Sequence, residues 1–289
     1  MTWVNAVVQG VLLGGLYALL ACGLSLIFGV MRIINLAHGD LAILFAFVLT
    51  FLSDQLGLPP ALGLIVVLPL AALFGYLLQR GILSRSLRSS ELSPLLATFG
   101  LAIVLQNVLL QAFSANTRQI DIGRLGTAGL KVSNQLSIPA LGVLTLAVAV
   151  LVLGGLQLML TRTSAGRAIR ATASDWETAE LMGINARSVY AYATAIAVAT
   201  AALAGVLFAV RSTFDPFSGQ PQLIFAFEAV IIGGLGSLWG TLLGGTLLGV
   251  AQTIGAQVDP AYPVLAGHLL FLFVLAFRPA GILAARLRV

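Results

Sequence analysis

Seven polar side chains stand inside apolar stretches of this sequence: Asn35, His38, Asp40, Gln106, Asn107, Glu228 and His268. Ionisable groups at membrane depth are rare and turn toward a bundle interior or a wet cavity. These residues are therefore where any chemistry has to be sought. No hydrolytic constellation is among them. His38 and His268 lie far apart, and neither has metal-ligand spacing. The phosphate-loop pattern G-x-x-x-x-G-K-[ST] is missing, since the only lysine, Lys131, follows Leu130. The pattern calls for no cofactor and no metal. What remains is non-covalent work, either joining helices or lending polar contacts to a solute. His268 reads as part of a buried network, and Glu228 fits either role.

The hexapeptide Asn35-Leu36-Ala37-His38-Gly39-Asp40 is different, because a helix broken inside a membrane bares backbone groups that need protein, water or solute as partners. Two readings stand. Asn35 and Asp40 cap two helices at a structural joint near the cytoplasmic face, or the joint also lines a translocation path.

A second polar element, Thr161 to Ser188, is the longest interruption of the apolar sequence and carries seven of the 25 charged residues (15 basic plus 10 acidic). Thr163 or Ser164 can cap one short helix there. Ser174 with Glu177 three residues later reads as a capping box for a second, with Asp175 and Glu177 at the end where the helix dipole favours negative charge. Gly183 supplies the left-handed residue that ends it. Trp176, Ala179 and Gly183 then share one narrow face, which suits either a solvated loop with some helix or a docking element.

These stretches are held by an oily frame. The 289 residues are 59% hydrophobic and 9% charged, against about 25% charged in a soluble domain. Mean hydropathy is +1.04. Several runs approach the roughly 20 apolar residues that span a bilayer. The expected fold is all-α, a polytopic transmembrane bundle of about 8–10 spans with a broken segment near 33–40. It forms one transmembrane domain over 1–289 with a loop at 161–188. The segment MTWVN lacks a basic n-region, so the first apolar stretch is expected to stay as a span. That stretch, Val4 to Val30, is about 40 Å of helix and must tilt or bend. Further spans are predicted at Leu41–Leu52, Ala61–Gln79 with a kink at Pro69, Pro94–Phe113, Pro139–Leu160 and Val189–Val210. Leu223–Ala256 reads as two spans joined at Gly233–Gly240, and Val264–Phe277 is the last. Gly236, Gly240 and Gly244 repeat every four residues, as close helix contact requires.

The net charge of +5 does not form a nucleic-acid stripe, because the arginines are spread among loops. The single cysteine, Cys22, excludes an internal disulfide. If 161–188 is cytoplasmic, eleven cations lie inside: Arg32, Arg80, Arg85, Arg88, Arg162, Arg167, Arg170, Arg187, Arg278, Arg286 and Arg288. Four lie outside: Arg118, Arg124, Lys131 and Arg211. The positive-inside rule favours that orientation, with the N-terminus periplasmic and the C-terminus cytoplasmic.

Glu177-Thr178-Ala179 followed by Gly183 resembles the EAA---G loop of ABC-importer permeases, with threonine for the middle alanine. Gly15-Leu16-Tyr17-Ala18-Leu19, Ile27-Phe28-Gly29-Val30 and Ile34 to Asp40 are similar to the N-terminal signature of branched-chain amino-acid permeases of the LivH type. Gly166 to Ala171, Leu181 to Asn185 and Gly233 to Ser237 match in the same order. Two departures, Leu238-Trp239 after the Gly-Ser step and Asp40 where glutamate is also common, leave the substrate open. The resemblance implies an inner-membrane permease subunit that imports branched-chain or related amino acids. It implies ATP-binding subunits, a second homologous permease and a periplasmic substrate-binding protein as partners. It also implies coupling through Trp176, Glu177, Ala179 and Gly183, and a path near Asn35, His38, Asp40 and Glu228. Urea and amide permeases share these motifs, and a self-sufficient secondary carrier is the competing class.

Overall fold

The computed structural model describes residues 2–87, 92–123, 126, 128–133 and 136–283. Arg88, Arg124, Arg286 and Arg288 of the charge count lie outside them. The chain is an all-α bundle, as its composition requires. Its helices are α1 (Thr2–Met31), α2 (His38–Leu56), α3 (Pro60–Leu78), α4 (Ser93–Phe113), α5 (Ala140–Arg162), α6 (Ser164–Ser174), α7 (Trp176–Leu181), α8 (Ala186–Arg211), α9 (Gly219–Gly233), α10 (Leu238–Val258) and α11 (Pro263–Phe277). Among the described residues, α1, α2, α3 with its continuation to Ser86, α4, α5 and α8 are long and apolar enough to cross a membrane singly. The α9–α10 pair is bent by 117° at its break, and α11 is a shorter apolar helix of 15 residues. This is a multi-pass integral membrane protein.

Pro69 sits inside α3 without ending it. The irregularity comes lower, as a π-helical turn at Gln79–Leu83, where Gln79 Oε1 accepts from the Thr194 hydroxyl at 2.8 Å. The polar connection after α4 contains a β-hairpin, β1 (Gly129–Ser133) against β2 (Leu136–Pro139), antiparallel with Gly129 opposite Pro139. Its short alternating strands offer too little periodic signal to stand out from a polar loop.

Two four-helix units, α1–α4 and α8–α11, share a local pattern, and α5 packs on α1 outside both, with Leu146 against Gly15. In the first, α1 ends, the chain reverses through an extended segment, and α2 begins deep inside. In the second, α8, a reversal and α9 do the same from the other side. The reversals share the same hydrogen bonds. Ala37 N–H donates to Asn35 Oδ1 at 3.0 Å, and Phe217 N–H donates to Asp215 Oδ1 at 2.8 Å. His38 N–H reaches Asn35 O and Ser218 N–H reaches Asp215 O, both at 3.2 Å. Each Asx turn leads to a glycine, Gly39 or Gly219. Downstream, α3 lies on α8 with Gly75 against Thr194 O and Val198, and α10 lies on α1 with Gly245 against Gly14 O and Ala18. Adding 180 to Gly14 and Ala18 gives 194 and 198, so the α1 and α8 sides of the contact correspond at that offset, while the facing glycines, Gly75 and Gly245, are 170 residues apart. The equivalent helices α4 and α11 both open on proline. An inverted repeat of this kind is built into many transporters.

Candidate functional site

The site lies where the two reversals meet. Arg32 takes φ +55°, a left-handed conformation unusual outside glycine, and turns the chain sharply back at the end of α1. Residues 33–37 then climb beside α1. His38 Nε2 shares a hydrogen bond with Leu20 O at 2.9 Å. Leu20 is 11 residues from the end of α1, about 16 Å at 1.5 Å per residue, or near half the thickness of a bilayer core. The N-termini of α2 and α9 therefore meet at mid-depth, pointing in opposite directions. They touch through their glycines: a Cβ on Gly39 would stand 2.0 Å from Gly219 O, and one on Gly219 would stand 2.4 Å from Asp40 Oδ1.

Asn35, His38 and Asp40 are all buried. The Leu36 N–H donates to Thr98 Oγ1 at 3.1 Å, and Gln106 Nε2 donates to Asp40 Oδ1 at 3.0 Å, so α4 supplies partners for the break. Asn35 Nδ2, His38 Nδ1 and Asp40 Oδ2 have no partner among the described residues. α2 starts at His38, three residues before the predicted span, because the polar residues form its first turn instead of a loop. Gln106 was legible only as a polar residue in a span; the fold pairs it with Asp40.

Glu228 lies elsewhere, on α9, buried with its Oε1 on His268 Nδ1 from α11. Phe225 bridges to Tyr17, ring centroids 5.2 Å apart, and the Tyr17 hydroxyl donates to Gln252 Oε1 at 2.5 Å. Glu228 Oε2 and Gln252 Nε2 are left without partners among the described residues. These two polar clusters are distinct: one sits at the helix break, the other between α1, α9, α10 and α11.

At the end of the bundle where α1 and α9 finish, α6 and α7 form the polar element. Thr163 caps α6, its Oγ1 accepting from Gly166 N–H at 3.0 Å. The cap of α7 is Asp175 and not the predicted Ser174, which closes α6 instead. Asp175 Oδ1 accepts from the N–H groups of Glu177 and Thr178, and its Oδ2 from the Thr178 hydroxyl at 2.5 Å. A carboxylate reaching three donors outcompetes one hydroxyl. The Thr178 hydroxyl first, then the backbone N–H groups, hold the Asp175 carboxyl below the usual carboxylate range. α7 ends in a Schellman motif: Ile184 N–H bonds Ala179 O, Gly183 N–H bonds Glu180 O, and Gly183 takes φ +84°. Ala179 faces inward at 4% exposure, so it does not share the free face with Trp176. That face is Trp176, Leu181 and Met182, with Leu181 87% exposed.

The glycine row divides. Gly240 and Gly244 press on α9, where added Cβ atoms would stand 2.4 Å from Gly233 O and 2.0 Å from Ala229 O. Gly236 belongs to the turn before α10, with φ +79° and Gly29 as its neighbour. The two-residue offset of α10 removes it from the helical row.

A family profile described as "Branched-chain amino acid transport system / permease component" matches residues 6–277. The chain belongs to this family. It is 36% identical to the high-affinity branched-chain amino acid permease BraD of Pseudomonas aeruginosa, over 97% of this chain and 95% of the relative. The LivH permease of Escherichia coli K12 is 30% identical over 95% of this chain and 93% of its own. The fructose import permease FrcC of Rhizobium meliloti is 30% identical over 84% of this chain and 69% of its own. Family membership makes this chain a membrane transport subunit, and the LivH-type resemblance extends over nearly all of it.

Proposed function

We propose that this chain is a permease subunit of an ATP-driven importer that moves branched-chain amino acids across the inner membrane. The substrate reading is supported by BraD and LivH, which match more of the chain than FrcC does. The energy-coupling reading is supported by α7. A six-residue helix is too short to persist alone, yet it is capped at both ends and presents Trp176, Leu181 and Met182 to the outside. A partner subunit that hydrolyses ATP docks on that face, with Glu177 and Gly183 fixing its shape. A second homologous permease and a periplasmic substrate-binding protein complete the assembly. The loop 161–188 and the C-terminus are cytoplasmic and the N-terminus periplasmic, as the cation bias favours.

Asn35, His38, Asp40 and Glu228 lie beside the path, and the Asn35–Asp40 break is the joint on which it opens. Opposed half-helix ends at mid-depth, where transporters place their moving parts, support this role. Reconstitution tests the whole. Vesicles holding the permeases, ATP-binding subunits and binding protein should accumulate leucine only with ATP. Uptake by this chain alone would favour a secondary carrier using the Glu228–His268 pair, and uptake of urea or an amide instead would reassign the cargo. Asn35→Ala and His38→Ala should keep assembly and ATP hydrolysis while losing uptake; normal uptake in both would remove the joint from the mechanism.

A further inference from the structure

A cavity of about 230 Å³ opens at the same end of the bundle as α7, between the end of α1, the end of α5, α6 and the turn into α10. It is apart from both polar clusters. Its walls are mixed. Leu26, Leu160 and Ile169 make an apolar side, and Trp239, half exposed, stands at the edge. Donors line it as well. Ser25 lines the cavity at 1% exposure, and its hydroxyl has no partner among the described residues. Buried hydroxyls normally find one. Arg170 of α6 also lines it, with no ion pair among the described residues. Ser237 caps α10 by accepting from Gly240 N–H at 3.1 Å, and the two N–H groups before that one, of Leu238 and Trp239, bond to nothing among the described residues. The free N–H groups at the start of a 21-residue helix favour negative charge. None of the described lining residues is acidic.

We propose that this cavity binds one anionic oxygen group carried on a short apolar chain. The anion would lie between Arg170, the start of α10 and the Ser25 hydroxyl, and the apolar part against Leu26 and Leu160. Pockets for drug-sized ligands run to about 300–1,000 Å³, so the space admits only a small group. A phosphodiester headgroup entering from the bilayer past Trp239 has this chemistry. So does the carboxylate of a small apolar amino acid on the cytoplasmic side. Either occupant ties α6, which leads directly into α7, to the turn of the broken α9–α10 pair. The cavity is thus a place where a bound anion stiffens the coupling element.

The test uses the full chain with the subunits that co-purify with it, in nanodiscs. Phosphatidylcholine alone is compared with phosphatidylcholine plus phosphatidylglycerol, and separately with added L-leucine. One of the two probes should raise the unfolding temperature, and which one does identifies the source. Arg170→Gln should weaken that response by roughly tenfold in half-effect concentration, while Arg170→Lys keeps most of it. Ser25→Val should abolish it by filling the cavity. If Ser25→Val does not assemble, the Arg170 pair carries the test from the exposed side of α6. No shift with either probe overturns the proposal. So does a shift that Arg170→Gln leaves intact, since that response would arise at the translocation path.

Discussion

Replacing Gly39 by alanine should force the joint apart. The added Cβ would be 2.0 Å from Gly219 O, a backbone atom with no rotamer to yield. Contacts tighter than 3.4 Å are already uncommon, so the α2 and α9 ends must part by about 1.4 Å (3.4 − 2.0). A gap of 0.5–1 Å forfeits a quarter to a half of each van der Waals well it affects. The separation also pulls on the Gln106–Asp40 hydrogen bond at 3.0 Å. Overpacking costs about 1–3 kcal/mol, and the loss of backbone approach puts Gly39→Ala at or above the upper end. At roughly 2–4 °C per kcal/mol, the unfolding temperature should fall by on the order of 6–12 °C. Gly155→Ala, inside α5 with nothing within 4 Å of its Cβ, is the matched control and should be neutral to slightly stabilising. Thermal unfolding in detergent, with uptake and ATP hydrolysis in vesicles, reads both variants. Gly39→Ala with native stability and native uptake would refute the idea that the reversals meet in backbone contact.

Gln106→Leu should strand the Asp40 carboxyl inside the bundle and cost about 1–3 kcal/mol, read as lower stability in detergent; an unchanged unfolding temperature would mean that Asp40 is served by another group. Gly183→Val forces a side chain into φ +84° and should cost about 1–2 kcal/mol while lowering substrate-stimulated ATP hydrolysis; a variant that hydrolyses and transports normally removes α7 from coupling. The Asp175 cap has a sign that can be checked against pH. Its carboxyl is held below its usual range, so its contribution is present above the unfolded value and fades as pH falls through the lower folded value. Protection of the Glu177 and Thr178 amides, measured against their intrinsic exchange rates, should fall over that acid range in the native chain, and show no such step in Asp175→Ala. Single cysteines at Ser174 and Ser133 in a Cys22→Ala background, labelled from outside intact cells, should react at 133 only; labelling at 174 alone would reverse the orientation.

Much of this protein was legible along one dimension. The apolar runs and the small charge content set the all-α membrane fold, because burying or bathing that much hydrocarbon in lipid leaves no soluble alternative. Gly183 could be read as a helix stop from local chemistry alone, and the Asn35–Asp40 interruption from its polarity. Local sequence failed where competition between neighbours decides, as when Asp175 took the cap that Ser174 offered. It also failed where orientation about a helix axis matters. Ala179 turns inward and Leu181 outward, and a six-residue helix gives too few positions to fix its buried face. The repeat was invisible for a deeper reason. Asn35 to Gly39 and Asp215 to Gly219 share only the Asx residue and the glycine, the two positions the turn itself demands. Their neighbours face different surroundings and have different side chains. Only tertiary packing brings Gly39 onto Gly219, pairs Gln106 with Asp40 and His268 with Glu228, and leaves Ser25 without a partner beside Arg170. Each of these depends on distances between residues that the chain separates by scores of positions, and no local propensity encodes them.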